Sequence, residues 1–281
     1  MFCNLNGNII HEKKAAISIN NRSFRYGDGC FETIKYANSA ILMADFHFQR
    51  LFATLQTLHF DYPTFFTPQY LAGQIHQLVA ANKHQALARI RLHIFAGDGG
   101  LYDAPNRHAN WLLQSWSLNP THNELNINGL VVALYKGGFK AADAFANLKT
   151  NNFLLYSQAA YFAKQQQAND ALVFNHLGSL ADATIDNLFL ITHGNTILTP
   201  PLSDGPVAGT MRQYLLQALP ALGFTVLEQS ISEQDLYQAQ EVFLSNAMGI
   251  RWVQNIGNHQ FTNQTIQRIY GQLMVPLWAG Q

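Results

Sequence analysis

The hydrophobic positions of the chain alternate between the period of a helix and that of a strand. After Asp45, a candidate N-cap, apolar side chains recur at the spacing of one helix face: Phe48, Leu51, Phe52, Leu55 and Leu58. Arg89–Phe95 alternates strictly between polar and apolar residues, which predicts a strand with one buried face. Further helices are predicted over Pro68–Asn82, Asn151–Gln167, Gly209–Leu222 and from Asn263. Further strands and hairpins are predicted over Leu5–Ile10, Cys30–Ala40, Leu130–Tyr135, Ala171–Asn175, around His193–Asn195, and over Phe224–Gln229, Glu241–Ser245 and Trp252–Ile256. This mixture predicts an α/β or α+β fold.

A polar, proline-containing stretch divides the chain into two unequal parts. Residues 117–123 read Ser-Leu-Asn-Pro-Thr-His-Asn and lie between two patterned regions, so we interpret them as a linker. The boundary predicts a smaller α/β domain over 1–116 and a larger C-terminal domain over 124–281 that carries Lys149. We expect a cleft between the two domains, because binding sites commonly form where domains meet.

The composition argues against several classes of partner. Charged residues make up 12% of the 281 residues, about half the usual share, which favours a large self-association interface. The net charge is zero and no basic block occurs, so nucleic acid and membrane are not expected partners. The 11 histidines form no helical ligand array and Cys3 and Cys30 are isolated, so no metal site is expected. The N-terminal residues lack the pattern of a signal peptide, so we expect a cytoplasmic protein.

One lysine, Lys149, stands just before the predicted helix Asn151–Gln167. Asn151 or Asn152 is a candidate N-cap for that helix. The positive end of the helix dipole disfavours an ammonium group, and partial burial would add to this effect. A neutral amine suited to Schiff-base chemistry is therefore one interpretation. A solvated loop lysine is the other, and the local pattern does not separate them.

Three further features supply the chemistry that such an amine would need. Gly209 opens a predicted helix, so the N–H groups of Thr210 and Met211 could bind a phosphate; a plain loop-to-helix junction is the alternative. Arg50 lies beside the apolar stripe of its helix, where it could bind phosphate or carboxylate, or only cover the edge of the core. Asp182 lies in an apolar segment between two predicted strands and needs a partner, either a protonated ring nitrogen or a backbone turn. Together these groups are the parts of a pyridoxal-phosphate site.

Three longer motifs surround these residues. They are Asn21–Thr33, which is similar to D-R-G-x-x-Y-G-D-G-x-F-E-T, then His47–Leu51 with its arginine, and Leu148–Leu154 with its lysine. All three resemble motifs of the class IV aminotransferase family, the fold-type IV pyridoxal-phosphate enzymes, and the resemblance covers nearly the whole chain.

The resemblance has consequences for the fold, the cofactor and the site. It implies a two-domain fold with pyridoxal 5'-phosphate in the interdomain cleft, a homodimer, and a small-molecule amine as substrate. It implies that Lys149 is the catalytic residue and holds the cofactor covalently. The other cofactor-binding residues that it implies are Arg50, Asp182, Thr210 and Met211.

Within the family, local sequence choices most resemble the 4-amino-4-deoxychorismate lyases. Gly209–Gln213 is similar to the lyase G-I-M-R-Q, and Ser245–Met248 is similar to the lyase N-A-L. Leu154 stands where branched-chain aminotransferases have tyrosine. The substrate contacts that we expect from the resemblance are Phe31, Asn246 and Ala247.

Two departures from the family pattern concern the cofactor and the substrate. Asp182 stands where the family nearly always has glutamate, and is one methylene shorter. Phe95-Ala96-Gly97 replaces a common Thr-Arg-Gly, so an arginine for the substrate carboxylate is either missing or supplied by Arg91 or Arg107. The shape of the pocket also depends on the loop Asp98–His108.

Three functional hypotheses remain at this point. The first is a lyase that releases pyruvate and 4-aminobenzoate. The second is an amino-acid transaminase of branched-chain or D-amino acid type. The third is a cofactor-binding protein with little catalysis, for which the departure at Asp182 is the support.

Overall fold

The computed structural model describes residues 1–101 and 106–279, which fall into two units. Unit 1 comprises Met1–Pro120 and Lys149–Asn152, and unit 2 comprises Thr121–Leu148 and Phe153–Ala279. Residues 102–105, inside the predicted loop Asp98–His108, lie outside the described residues, as do 280–281 at the end of the predicted second domain.

Unit 1 consists of a six-stranded sheet with two long helices. Its elements are β1 (Phe2–Leu5), β2 (Asn8–His11), α1 (Arg22–Tyr26), β3 (Gly29–Ala37), β4 (Ala40–Ile41), α2 (Ala44–Thr57), α3 (Pro68–Asn82), β5 (Leu87–Phe95) and β6 (Asn110–Ser117). The strand order is β2-β1-β6-β5-β3-β4, and neighbouring strands are antiparallel.

The core of unit 1 lies between one face of this sheet and the two helices. The predicted stripe of α2 is confirmed, because Phe48, Leu51 and Leu55 are buried in the core cluster. The apolar residues of β5 join the same cluster, as their alternation predicted. Burying these faces fixes the register of β3 against β5, and β3 carries much of the site described below.

Unit 2 is built on a nine-stranded mixed sheet. Its elements are β7 (Leu130–Lys140), α4 (Leu154–Gln165), β8 (Asp170–Asn175), β9 (Leu180–Ala183), β10 (Asn187–Ile191), β11 (Thr196–Thr199), α5 (Thr210–Ala218), β12 (Thr225–Glu228), α6 (Glu233–Gln238), β13 (Glu241–Asn246), β14 (Gly249–Ile256), β15 (His259–Gln260), α7 (Gln264–Ile269) and α8 (Val275–Ala279). The order is β12-β11-β10-β13-β14-β7-β8-β9, with β15 paired to β14. The pairs β11–β12, β14–β7 and β7–β8 are parallel, and the remaining pairs are antiparallel.

The chain around Lys149 differs from the sequence prediction in two respects. Helix α4 begins at Leu154, with Phe153 at its N-cap, so neither Asn151 nor Asn152 caps it. Lys149–Asn152 groups with unit 1 and not with the C-terminal part of the chain. The physical reason is that the backbone of this segment forms hydrogen bonds with the edge of β3.

The predicted linker is partly structured. Ser117 ends β6, a strand that the sequence analysis did not identify, and Pro120–Asn123 forms a 3-10 turn. In the part of the chain that the structure describes, no helix is long and apolar enough to cross a bilayer.

Candidate active site

Lys149 lies on a short extended segment that continues the sheet of unit 1. The Phe31 N–H donates to the Lys149 carbonyl at 3.0 Å, and the Asn151 N–H donates to the Gly29 carbonyl at 3.0 Å. The lysine Nζ lies 4.6 Å from the centroid of the Phe31 ring. Strand pairing therefore fixes the backbone that carries the amine, which is the kind of support that a reactive group needs.

A second cation, the guanidinium of Arg91, contacts the same Phe31 ring. Its Cζ lies 3.9 Å from the ring centroid. Thr33 is directly opposite Arg91 in the β3–β5 pair, and Phe31 lies two residues along the same face of β3. Burial, and then the charge of Arg89, lowers the pKa of Arg91. The structure thus brings two of the predicted substrate residues together with the predicted catalytic lysine.

Arg107, the alternative to Arg91 as a carboxylate-binding residue, lies elsewhere in unit 1. Its Nη1 donates to the Leu58 carbonyl at 2.9 Å. It lines a cavity of about 90 Å³, and neither Phe31 nor Lys149 is among the described residues that line it. Of the two arginines, Arg91 is the one that shares a ring with the lysine.

The guanidinium of Arg50 is held in a buried ion pair. Its Nε and Nη2 donate to Oε1 and Oε2 of Glu32 at 2.8 and 2.5 Å. Nδ1 of His47 donates to Oε2 of the same carboxylate at 2.7 Å. Glu32 is 2% exposed and His47 is 0% exposed. Glu32 thus accepts from Nε and Nη2 of Arg50, and the predicted contact of Arg50 with a phosphate stays a prediction.

The contacts among Glu32, His47 and Arg50 determine the charge of each side chain. Burial alone would raise the pKa of Glu32, but the charge of Arg50 and the hydrogen bond from His47 outweigh it and lower this pKa from 4.5 to about 2. Burial lowers the pKa of His47, although its hydrogen bond to Glu32 opposes the effect. At neutral pH the carboxylate is therefore an anion, and the imidazole is neutral with its proton on Nδ1.

In unit 2, Asp182 lies within β9 and is 2% exposed. The prediction that it lies between two strands was wrong, because all four residues of β9 are buried and no alternation of polar and apolar positions marks the strand. The Tyr156 hydroxyl donates to both carboxylate oxygens, at 3.1 and 3.2 Å, and the Val207 N–H donates to Oδ2 at 2.8 Å. A local turn is thus not what satisfies this carboxylate.

Within unit 2, Lys140 is an amine near Asp182 that was not among the predicted site residues. Its Nζ donates to the Ala146 carbonyl at 2.9 Å and lies 5.0 Å from the centroid of the Tyr156 ring. Burial lowers the pKa of Lys140, while the charges of Asp182 and Asp143 oppose this. Its position at the end of β7 follows no recognisable motif, so only the tertiary structure identifies it.

The start of α5 presents backbone N–H groups of the kind that bind phosphate. Gly209 is the N-cap of this nine-residue helix, and Thr210 and Met211 are its first two residues. A Cβ at Gly209 would overlap the side-chain oxygen of Asn187, whose Nδ2 donates to the Val207 carbonyl at 2.8 Å. Glycine is therefore required at this position, and the first N–H groups of the helix have no capping side chain from their own N-cap.

Asn246 and Ala247 form the tight connection between β13 and β14. Asn246 pairs with Gly249, and its Oδ1 accepts a hydrogen bond from the Met248 N–H at 2.7 Å. The Ala247 side chain is 8% exposed. The structure gives both residues a role in the turn, and their predicted contact with substrate stays a prediction.

The chemistry of these groups fits a phosphorylated pyridine aldehyde. Lys149 offers an amine on a segment that pairs with β3, and Asp182 offers a buried carboxylate that accepts hydrogen bonds from the Tyr156 hydroxyl and the Val207 N–H. A carboxylate suits a cationic ring nitrogen, because a nearby negative charge favours the protonated form of that nitrogen. The glycine cradle at the start of α5 suits a phosphate.

The sequence profile of the amino-transferase class IV family matches residues 29–256. The chain therefore belongs to the class IV aminotransferase family and is a pyridoxal-phosphate-dependent enzyme. The predicted fold class, family and cofactor are confirmed.

Individual relatives carry two different activities. The aminodeoxychorismate lyase of Vibrio harveyi is 26% identical over 234 residues, which cover 83% of this chain and 84% of the lyase. The branched-chain-amino-acid aminotransferase of Escherichia coli is 23% identical over 250 residues, which cover 85% of this chain and 79% of that enzyme. The crystal structure of a branched-chain aminotransferase from Thermoproteus uzoniensis has a TM-score of 0.87 at 23% identity, and covers 99% of this chain and 95% of its own.

Proposed function

We propose that this enzyme is a 4-amino-4-deoxychorismate lyase that releases pyruvate and 4-aminobenzoate. The observation that carries the proposal is the pairing of Lys149 and Arg91 on the Phe31 ring. An amine for the cofactor on the same ring as a partly buried cation favours an amine substrate that bears a carboxylate. Within that class, the lyase-like sequences Gly209–Gln213 and Ser245–Met248 favour elimination over transamination.

Each residue has a defined task in this proposal. When bound, the cofactor supplies an aldehyde that combines with an amine and a ring that withdraws electrons from the amine-bearing carbon. Lys149 holds the cofactor and, once displaced, removes the proton from that carbon. Arg91 binds a substrate carboxylate, and Asp182 keeps the ring nitrogen protonated. The phosphate is bound by the N–H groups at Thr210 and Met211 and by Arg50.

The chemistry of the substrate completes the reaction. The amine-bearing carbon loses its proton, the carbon–oxygen bond to the enolpyruvyl group breaks, and the ring becomes aromatic. The oxygen leaves with the electron pair of that bond as the enolate of pyruvate, which takes up a proton on carbon and becomes pyruvate. Aromatisation makes the elimination favourable, so no second substrate is needed.

The test is whether the enzyme turns over without an oxo acid. Purified holoenzyme is mixed with 4-amino-4-deoxychorismate, and pyruvate is followed with lactate dehydrogenase. We expect continuous pyruvate release from the wild type and from Lys140→Ala, and none from Lys149→Ala. Lys140→Ala is the matched control, since it removes an amine that lies 5.0 Å from the ring of Tyr156, the residue that donates to Asp182.

Two rival functions give different results in the same experiment. A transaminase of branched-chain or D-amino acid type converts the cofactor to its amine form, loses the long-wavelength absorbance, and needs an oxo acid to continue. A cofactor-binding protein with little catalysis keeps its colour and turns over no amine. The homodimer also stays a prediction, for which sedimentation equilibrium is the measurement.

A further inference from the structure

The carboxylate of Asp182 accepts hydrogen bonds from different parts of unit 2. The Tyr156 hydroxyl lies 3.1 Å from Oδ1 and 3.2 Å from Oδ2, and the Val207 N–H lies 2.8 Å from Oδ2. A carboxylate can accept about four hydrogen bonds, so these contacts are compatible with a further donor. Their geometry fixes the plane in which the two oxygens lie.

The Tyr156 hydroxyl is itself fixed by packing. Tyr156 is 6% exposed and belongs to a core cluster with Ala159, Ala163 and Val173. Its ring lies against Phe153, with ring centroids 4.9 Å apart. Burial, and then the charge of Asp182, raises the pKa of Tyr156 well above 10, so the hydroxyl remains a donor over the whole working range of an enzyme.

We propose that Tyr156 is a positioning residue that orients the Asp182 carboxylate toward the ring nitrogen of the cofactor. The inference rests on the proposed role of Asp182. An aspartate has one methylene less than the glutamate that the resemblance implies at this position, so its oxygens reach less far and their direction matters more. The tyrosine hydroxyl, placed by the core, supplies that direction.

The main test is Tyr156→Phe, which removes the hydroxyl and keeps the ring in the core. The matched control is Tyr161→Phe, on the same helix, where the side chain is 61% exposed. The readouts are the ¹⁵N chemical shift of the ring nitrogen in ¹⁵N-labelled cofactor, the cofactor dissociation constant, and kcat and KM separately. We expect kcat to fall about ten-fold or more, on the order of what one hydrogen bond to a charged group is worth. KM should be nearly unchanged, and the ring nitrogen should be less protonated.

A double-mutant cycle separates positioning from a general structural effect. If the hydroxyl acts through Asp182, Tyr156→Phe should change kcat by less than about two-fold once Asp182→Asn is present. Equal losses in the two backgrounds, or an unchanged nitrogen shift in the single variant, would overturn the inference. Asp182→Asn alone serves a different purpose. If it leaves the nitrogen shift unchanged, the proposed role of Asp182 fails, and with it the basis for this inference.

A second substitution tests the proposal even if Tyr156→Phe does not fold. Site-specific fluorotyrosine at position 156 keeps the ring and the hydroxyl but makes the hydroxyl more acidic, and so changes the hydrogen bond to Asp182 without creating a cavity. The ring-nitrogen shift should move while the melting temperature stays that of the wild type. An unmoved shift would contradict the proposal.

Discussion

Replacing Glu32 with glutamine should destabilise unit 1 by about 3 kcal/mol at neutral pH. The pKa of Glu32 is lowered from 4.5 to about 2 in the folded protein. Each factor of ten in proton affinity is worth about 1.4 kcal/mol, so the folded contacts stabilise the carboxylate by roughly 3 kcal/mol. Removing the charge also leaves Arg50, whose side chain is 11% exposed, without its anion. Breaking a buried pair in this way typically costs about 3–5 kcal/mol, which agrees with the first figure.

The contribution of Glu32 to the free energy of unfolding should decrease as the pH falls. The folded pKa of Glu32 is the lower one, so its contribution is fully present above about pH 4.5 and is lost as the pH falls toward 2. His47 also destabilises the folded protein in acid. Its pKa is lowered in the folded protein, so as the pH falls the imidazole of the unfolded chain takes up a proton before that of the folded chain. The wild type should therefore lose stability on acidification, and the difference between wild type and Glu32→Gln should shrink between pH 7 and pH 3.

The assay is urea unfolding of the cofactor-free protein, with hydrogen exchange followed over Gly29–Ala37 to report on unit 1 itself. Glu12→Gln is the matched control, because Glu12 is 45% exposed and forms its ion pair with the terminal amine. The control should stay within about 0.5 kcal/mol of the wild type. A Glu32→Gln protein as stable as that control, or a difference that does not shrink in acid, would refute the reasoning.

Three further predictions concern the site directly. Borohydride reduction should place the cofactor on the peptide that contains Lys149; label on a Lys140 peptide would contradict the assignment. Gly209→Ala should weaken cofactor binding and lower the melting temperature, because the added methyl group overlaps Asn187. If the dissociation constant of the cofactor is unchanged, the phosphate does not bind at the start of α5. Asp182→Asn should leave the cofactor bound but slow single-turnover proton abstraction severely, since an amide does not stabilise a cationic ring nitrogen. If the asparagine variant is active, Asp182 has a structural role instead.

The periodicity of apolar residues predicted the helices and strands that have one buried face and one exposed face. The helix that became α2 was found from Phe48, Leu51 and Leu55, which lie in the core of unit 1. The strand β9 was missed because all four of its residues are buried, so no alternation marks it. Its carboxylate is satisfied by Tyr156, which is 26 residues away in sequence and has no local signature.

The candidate lysine was found for a reason that the structure only partly supports. The argument from a helix dipole assumed that a helix starts at Asn151, and α4 starts at Leu154. Motif resemblance identified Lys149 independently of that argument. Its actual support is strand pairing with Phe31, a contact between residues 118 positions apart that no local pattern encodes.

The pairing of Lys149–Asn152 with β3 has a consequence for biosynthesis. Residues 1–120 leave the ribosome before the segment that pairs with Gly29 and Phe31, and residues 121–148 separate the two. At roughly 5–20 residues per second, this part of the β3 edge stays without its partner for about 1–6 s after residue 120 has emerged. An unpaired strand edge is a template for pairing with another chain. Nascent chains that stall before residue 149 should therefore be the aggregation-prone species of this protein, and slow codons between 121 and 148 should lower its soluble yield.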